Sequence, residues 1–96
     1  MEIKSFGSKK IEQFIKTGAL KKSCKWKNLA KIAQRKIDMI LFADGINDLL
    51  VPPSNRLEKL SGNLKGYWAI RINDQFRVIF KCHRNLIFEI NIVDYH

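Results

Sequence analysis

Between Tyr67 and Val93 the chain changes character at every second residue, and that pattern leaves few folds open. Trp68, Ile70 and Ile72 alternate with Tyr67, Ala69 and Arg71; Phe76, Val78 and Phe80 alternate with Arg77, Ile79 and Lys81. Leu86, Phe88, Ile90 and Ile92 alternate with Ile87, Glu89, Asn91 and Val93. Successive side chains on a strand point to opposite faces, so each run predicts a strand with one strongly apolar face. Asn73-Asp74-Gln75 fits a hairpin connection, and His83-Arg84-Asn85 a second turn. The three runs predict a meander whose other face presents Arg71, Arg77, Lys81, Glu89 and Asn91 and is open to a ligand.

Something must cover the apolar face, and the first half of the chain supplies it with helical spacing. Met1 to Phe6 reads as a short opening strand with Ile3 and Phe6 inward. Ser8 is a fitting N-cap for a helix that carries Ile11, Phe14 and Ile15 on one side, and Thr17-Gly18 ends it. Trp26 to Phe42 is the strongest helical stretch. Trp26, Leu29, Ala30, Ala33, Ile37, Ile40 and Leu41 fall mostly three or four apart, with Lys27, Lys31, Gln34, Arg35 and Asp38 largely on the other side. Asp44-Gly45 stops that helix, and Pro52-Pro53 makes residues 46–55 a loop with one helical turn. The predicted class is α+β: two N-terminal helices packed on a small antiparallel-rich sheet, in one domain spanning residues 1–96.

Charge divides the chain sharply. Lys and Arg total 18 against 9 Asp and Glu, a net charge of +9. All of that excess lies in residues 1–36, while residues 37–96 hold seven basic and seven acidic side chains. Lysines so concentrated suit a polyanion, and Lys9, Lys10, Lys21, Lys22 and Lys25 are the candidates for salt-sensitive contact with RNA phosphates. The plainer alternative is a solvated helical surface that keeps the protein soluble. No apolar run approaches the ~18 residues a membrane span needs, and residues 1–10 lack a signal-peptide core. Cys24 and Cys82 have no disulfide, zinc or redox spacing, so no metal site is expected and a reducing cytoplasm is the expected location.

No P-loop, dinucleotide fingerprint, HExxH or GxSxG is present. The chemistry-bearing candidates cluster at Asp94-Tyr95-His96, a carboxylate, a phenol and an imidazole in succession. Such groups suit acid–base cleavage of RNA, in which a 2′-hydroxyl loses a proton as it attacks phosphorus and the departing 5′-oxygen gains one. The phosphorane between them carries extra negative charge and favours a nearby guanidinium; Arg77 is a candidate on the ligand-facing side of the middle strand. Adjacent strand residues cannot share one face, so joint action requires the three to curl away from the sheet. Blander roles suit the same residues: a frayed terminal His96, an Arg77 paired with Glu89, a turn residue at His83. On these residues alone, a nuclease and a non-catalytic nucleic-acid module stay equally open.

The segment from Pro52 to Gly66, the run Ile70-Arg71-Ile72-Asn73-Asp74-Gln75-Phe76-Arg77-Val78-Ile79-Phe80 and the closing Ile90-Asn91-Ile92-Val93-Asp94-Tyr95-His96 resemble the HigB branch of the RelE/ParE toxin superfamily. The opening Ile3-Lys4-Ser5-Phe6 fits as well. The resemblance implies a RelE-like fold and a bacterial type II toxin. A helix-turn-helix, HigA-like antitoxin would restrain it, with operator DNA met only through that antitoxin. It implies entry into the ribosomal A site and cleavage of translated mRNA by the RNA's own 2′-hydroxyl, with no metal or cofactor. By the same resemblance Asp94, Tyr95 and His96 match the catalytic tail, and Arg77 matches the strand arginine.

One departure stands out. HigB-type toxins carry Leu-His-x-Leu-Lys-Gly before the second strand, and this chain reads Leu57-Glu58-Lys59-Leu60-Ser61-Gly62. Glu58 can accept a proton but supplies no cation, and Lys59 or Lys65 would have to replace the charge missing at Ser61. Two other functions follow from the resemblance: a weakened toxin acting mainly through antitoxin binding and operon regulation, and a ParE-like gyrase poison.

Overall fold

The computed structural model describes residues 1–95. The alternating segments form β3 (Trp68–Arg71), β4 (Phe76–His83) and β5 (Leu86–Asp94), each antiparallel to the next. Two short strands flank this meander: β2 (Glu58–Lys59) pairs antiparallel with β3, and β1 (Glu2–Ile3) runs parallel to β5. The sheet is five-stranded in the order β1-β5-β4-β3-β2. The α+β class stands, but the expected architecture is corrected in two respects. The sheet is mixed, because the opening strand covers the free edge of β5 in the parallel sense. The helices are not both N-terminal: a strand precedes them, and the second extends to residue 42.

The first helix, α1 (Lys9–Thr17), begins and ends at its signals. Ser8 Oγ accepts from the Ile11 N–H, and Gly18, at φ 77°, donates its N–H to the Phe14 carbonyl. Gly7 lies so close to Asn91 that an added Cβ would sit 2.9 Å from the Asn91 Cβ. The second helix, α2 (Ala30–Phe42), starts later than the apolar spacing suggests, after a single 3-10 turn at Lys27–Leu29. Trp26 therefore packs from the connector, buried, with its ring edge-to-face on Phe14 at 4.9 Å.

Both helices cover one face of the sheet. Ile11, Phe14, Ala33, Ile37 and Ile40 meet Ile70, Val78, Phe80, Ile87 and Ile90, all in one buried cluster. Each large side chain fully buried here contributes about 1.5–3 kcal/mol. Lys36, counted with the basic surface by its sequence position, is buried as well. Its Nζ donates at 2.6 Å to Oδ1 of the fully buried Asn55, whose Nδ2 donates to the Leu49 carbonyl. Burial pushes the Lys36 amine below its usual range, and Arg35 and Arg71 push it further. This bond ties α2 to residues 46–55, which hold two 3-10 turns, Ile46–Leu50 and Pro53–Asn55, where one turn was expected.

The alternation read for the last strand is wrong in its first half. Pairing jumps from Ile79↔Asn91 to Lys81↔Phe88, which leaves one extra residue on β5, and Glu89 adopts φ 53°. This β-bulge puts Ile87, not Leu86 and Phe88, into the core alongside Ile90 and Ile92. Ser5 secures it: its Oγ accepts from the Glu89 N–H at 2.9 Å, and its carbonyl accepts from Ile90. Both cysteines are free thiols, and no helix among the described residues is long and apolar enough to cross a membrane.

Candidate nucleic-acid interface on the open face of the sheet

The face away from the helices carries a smaller apolar cluster, Leu60, Ala69 and Ile79, with Tyr67, Val93 and Tyr95 packed against it. Cross-strand partners share a face, so the register places Arg71, Arg77 and Val93 in one row and Glu58, Ala69, Ile79 and Asn91 in the next. Two guanidiniums directly opposite one another repel, and each is held by other groups. Arg71 Nη2 donates to Asp74 Oδ1 at 2.6 Å; Arg77 Nη1 donates to the carbonyls of Asn73 and Phe76. The Arg77 guanidinium lies 5.4 Å from the Tyr95 ring centroid, which leaves the arginine only 9% exposed. The hydrogen bond and charge of Arg71 draw the Asp74 carboxyl below its usual range.

Arg71 Nε and Arg77 Nε are buried and have no hydrogen-bond partner among the described residues. Two guanidiniums side by side on one face, that of Arg71 partly exposed, suit an anionic acceptor such as a phosphate oxygen. Lys81 flanks the row, with Nζ 2.9 Å from Glu89 and 5.0 Å from the Tyr67 ring; the bond to Glu89 raises the Lys81 amine.

The tail reaches this row through Tyr95. Asp94 ends β5 opposite the core residue Phe76, hence on the helix side of the sheet, and its Oδ2 accepts from Gln75 Nε2 at 2.9 Å. Tyr95 follows, with its N–H on the Gln75 carbonyl at 2.6 Å and its ring on Arg77. His96 lies outside the described residues.

Among the remaining candidates, Glu58 shares the arginine face from the strand β2, which the sequence reading did not foresee. Lys59 turns the other way, opposite Trp68, with Nζ 5.7 Å from that ring. Lys65 is exposed just beyond the 3-10 turn Gly62–Leu64. Lys9, Lys10, Lys21, Lys22 and Lys25 are exposed on α1 and the connector behind it, in the helical layer across the sheet from the arginines. Lys10 and Lys21 border a cavity of about 240 Å³ with Gln13, Ala19 and Leu20. The two basic groups thus occupy different sides of the molecule. Sequence reasoning missed Asn73, Asp74 and Gln75, whose Asn-Asp-Gln order signalled only a turn.

Residues 4–96 match the HigB-like toxins, described as RelE-like toxins of the type II toxin–antitoxin system HigB. The chain belongs to this family. Toxin HigB-1 of Vibrio cholerae serotype O1 is 49% identical over 47 residues, 49% of this HigB-like chain and 50% of that protein. An uncharacterized Haemophilus influenzae protein is 45% identical over 58 residues, 60% of this chain and 57% of its own length. The chain thus spans little more than half the length of the curated relatives it matches. In structure it is similar to YoeB of the heterotetrameric YoeB–YefM toxin–antitoxin complex from Staphylococcus aureus. The TM-score is 0.59 and the identity 25%, covering 100% of this chain and 99% of that one. YafQ from Escherichia coli matches with a TM-score of 0.56 at 19% identity, covering 97% and 91%, a likeness of fold alone.

Proposed function

We propose that this HigB-like chain is a ribosome-dependent endoribonuclease that cuts translated mRNA in the A site by attack of the RNA's own 2′-hydroxyl, without a metal. The observation that carries the reading is the pair of guanidiniums, Arg71 and Arg77, opposite one another on the open face with the Tyr95 ring packed on Arg77. A phosphorane gains negative charge as it forms, so guanidiniums held in place favour it over the ground-state phosphodiester. Arg77 takes the role of phosphate charge, with Arg71 next to it. Tyr95 positions a base or sugar by stacking, Asp94 orients the proton-transfer group, and His96 transfers the proton. Glu58, exposed on the same face, is a second acceptor for the 2′-hydroxyl proton. The lysines of the helical layer, Lys9, Lys10, Lys21, Lys22 and Lys25, suit ribosomal RNA, and Lys65 the mRNA backbone.

The partner in the resting state is a helix-turn-helix, HigA-like antitoxin, through which alone operator DNA is met. YoeB, similar in structure, is known in complex with the antitoxin YefM. A second reading, an attenuated toxin whose main work is binding that antitoxin, is favoured by Glu58, a carboxylate rather than an imidazole on the arginine face.

Inducible expression of the wild type beside His96→Ala, with mRNA 5′ ends mapped soon after induction, tests the choice. New ends in translated frames for the wild type only support the nuclease. Equal growth arrest by both proteins, without new ends, removes it; no arrest from either leaves the antitoxin-binding role.

A further inference from the structure

We infer that Gln75 is a positioning residue that fastens the Asp94-Tyr95 tail to the arginine site; the inference rests on the nuclease reading above. Residues 73–75 were expected to do no more than connect two strands. In the structure the site is tied together there. Asn73 Oδ1 accepts from the N–H groups of Gln75 at 2.9 Å and Phe76 at 2.7 Å, which shapes the turn, and its carbonyl accepts from Arg77. Asp74 holds Arg71. Gln75 holds the tail at two points, with its carbonyl on the Tyr95 N–H at 2.6 Å and its side-chain amide on Asp94 at 2.9 Å.

Two further observations give Gln75 this role. The β4–β5 ladder ends at Phe76↔Asp94, so Tyr95 lies beyond the last strand pair, where a chain ordinarily frays unless it is tied down. The Gln75 side chain is also exposed. It fills no core space, and its loss creates no cavity.

The test uses wild type, Gln75→Ala and Gln75→Lys, in which an ammonium again donates to Asp94. Single-turnover cleavage of mRNA is followed on programmed ribosomes over a range of ribosome concentrations, beside hydrogen exchange at the Tyr95 amide. The expected result is a drop of about 10- to 100-fold in the saturating rate for Gln75→Ala, the scale of a misplaced group. The half-saturating ribosome concentration stays unchanged, Tyr95 exchange quickens, and Gln75→Lys regains most of the rate. A general loss of folding would instead lower the melting temperature and escape rescue. If the wild type cleaves and Gln75→Ala cleaves equally fast, the inference falls and the nuclease reading stands. If the wild type leaves mRNA intact, both fall.

Discussion

The Tyr95 ring rests 5.4 Å from the Arg77 guanidinium, while that guanidinium is fixed from below by the carbonyls of Asn73 and Phe76. The planar fork suits both contacts at once, and an ammonium does not. Arg77→Lys keeps the charge and loses the fork. We expect about a 100-fold loss of cleavage on programmed ribosomes, the cost typical of removing one donor to a developing oxyanion. Ribosome binding measured by co-sedimentation should be unchanged.

Asp74 holds Arg71 Nη2, so on the nuclease reading it competes with RNA for that guanidinium. Asp74→Asn removes the carboxylate and frees Nη2, so affinity for a short single-stranded RNA should rise and its salt slope should steepen by up to about one charge. The Asp74 carboxyl is held below its usual range, so any stability the pair adds is present above the ordinary carboxyl value and lost as pH falls through the lowered one. The pair is therefore intact throughout the neutral range, and titration from pH 6 to 8 should leave RNA binding through Arg71 unaltered.

Asn55 gives the buried Lys36 ammonium its hydrogen bond. Asn55→Ala should cost about 3 kcal/mol in urea unfolding, since removing one partner strands a buried charge. The amine is pushed down in the folded state, so the unfolded chain binds more protons between the lowered value and the usual one. Stability should then rise with pH through that alkaline window. Lys36→Met should abolish this rise.

Glu89 carries a left-handed backbone, φ 53°, at the bulge. Glu89→Val puts a β-branched side chain there and should destabilise by about 2 kcal/mol. Glu89→Gly loses only a surface ion pair with Lys81 and should fall within about 1 kcal/mol of wild type. Paired thermal melts would separate the two.

The lysines and the arginines lie on opposite sides of the sheet, which on the nuclease reading separates binding from chemistry. Reversing Lys21, Lys22 and Lys25 to Glu should weaken ribosome association and flatten its salt dependence, with the saturating cleavage rate unchanged. A lower saturating rate would place those lysines near the reacting phosphate instead.

What the sequence revealed follows physical range. Ser8 and Gly18 act within one turn, and α1 begins and ends where they indicate. The β3–β4 hairpin is legible because polar and apolar residues differ clearly there. Leu86, Ile87 and Phe88 are all apolar, so alternation could not tell which of them faces the core; Ser5, from the other end of the chain, fixes the bulge that decides it. Lys36 looks like a solvated helical lysine until Asn55, 19 residues away, is brought against it. At the candidate site the face bearing Arg71 and Arg77 was legible from period two. The part played by Gln75 was not, because its partner Asp94 also lies 19 residues along the chain. The two-residue strand β2, which sets Glu58 on the arginine face, is too short to show a period.

Most strands answer the loss of one residue by turning every later side chain inside out. β5 holds a residue in reserve. With Glu89 excised, Phe88 would be followed directly by Ile90, and the ladder would run unbroken from Leu86 to Asp94 with Ile90, Ile92 and Tyr95 on the sides they now occupy. Straightening the strand with Glu89 kept would do the reverse, turning Tyr95 to the helix side of the sheet and leaving Arg77 without its cover. Position 89 is thus a place where this fold can be shortened more safely than it can be regularised.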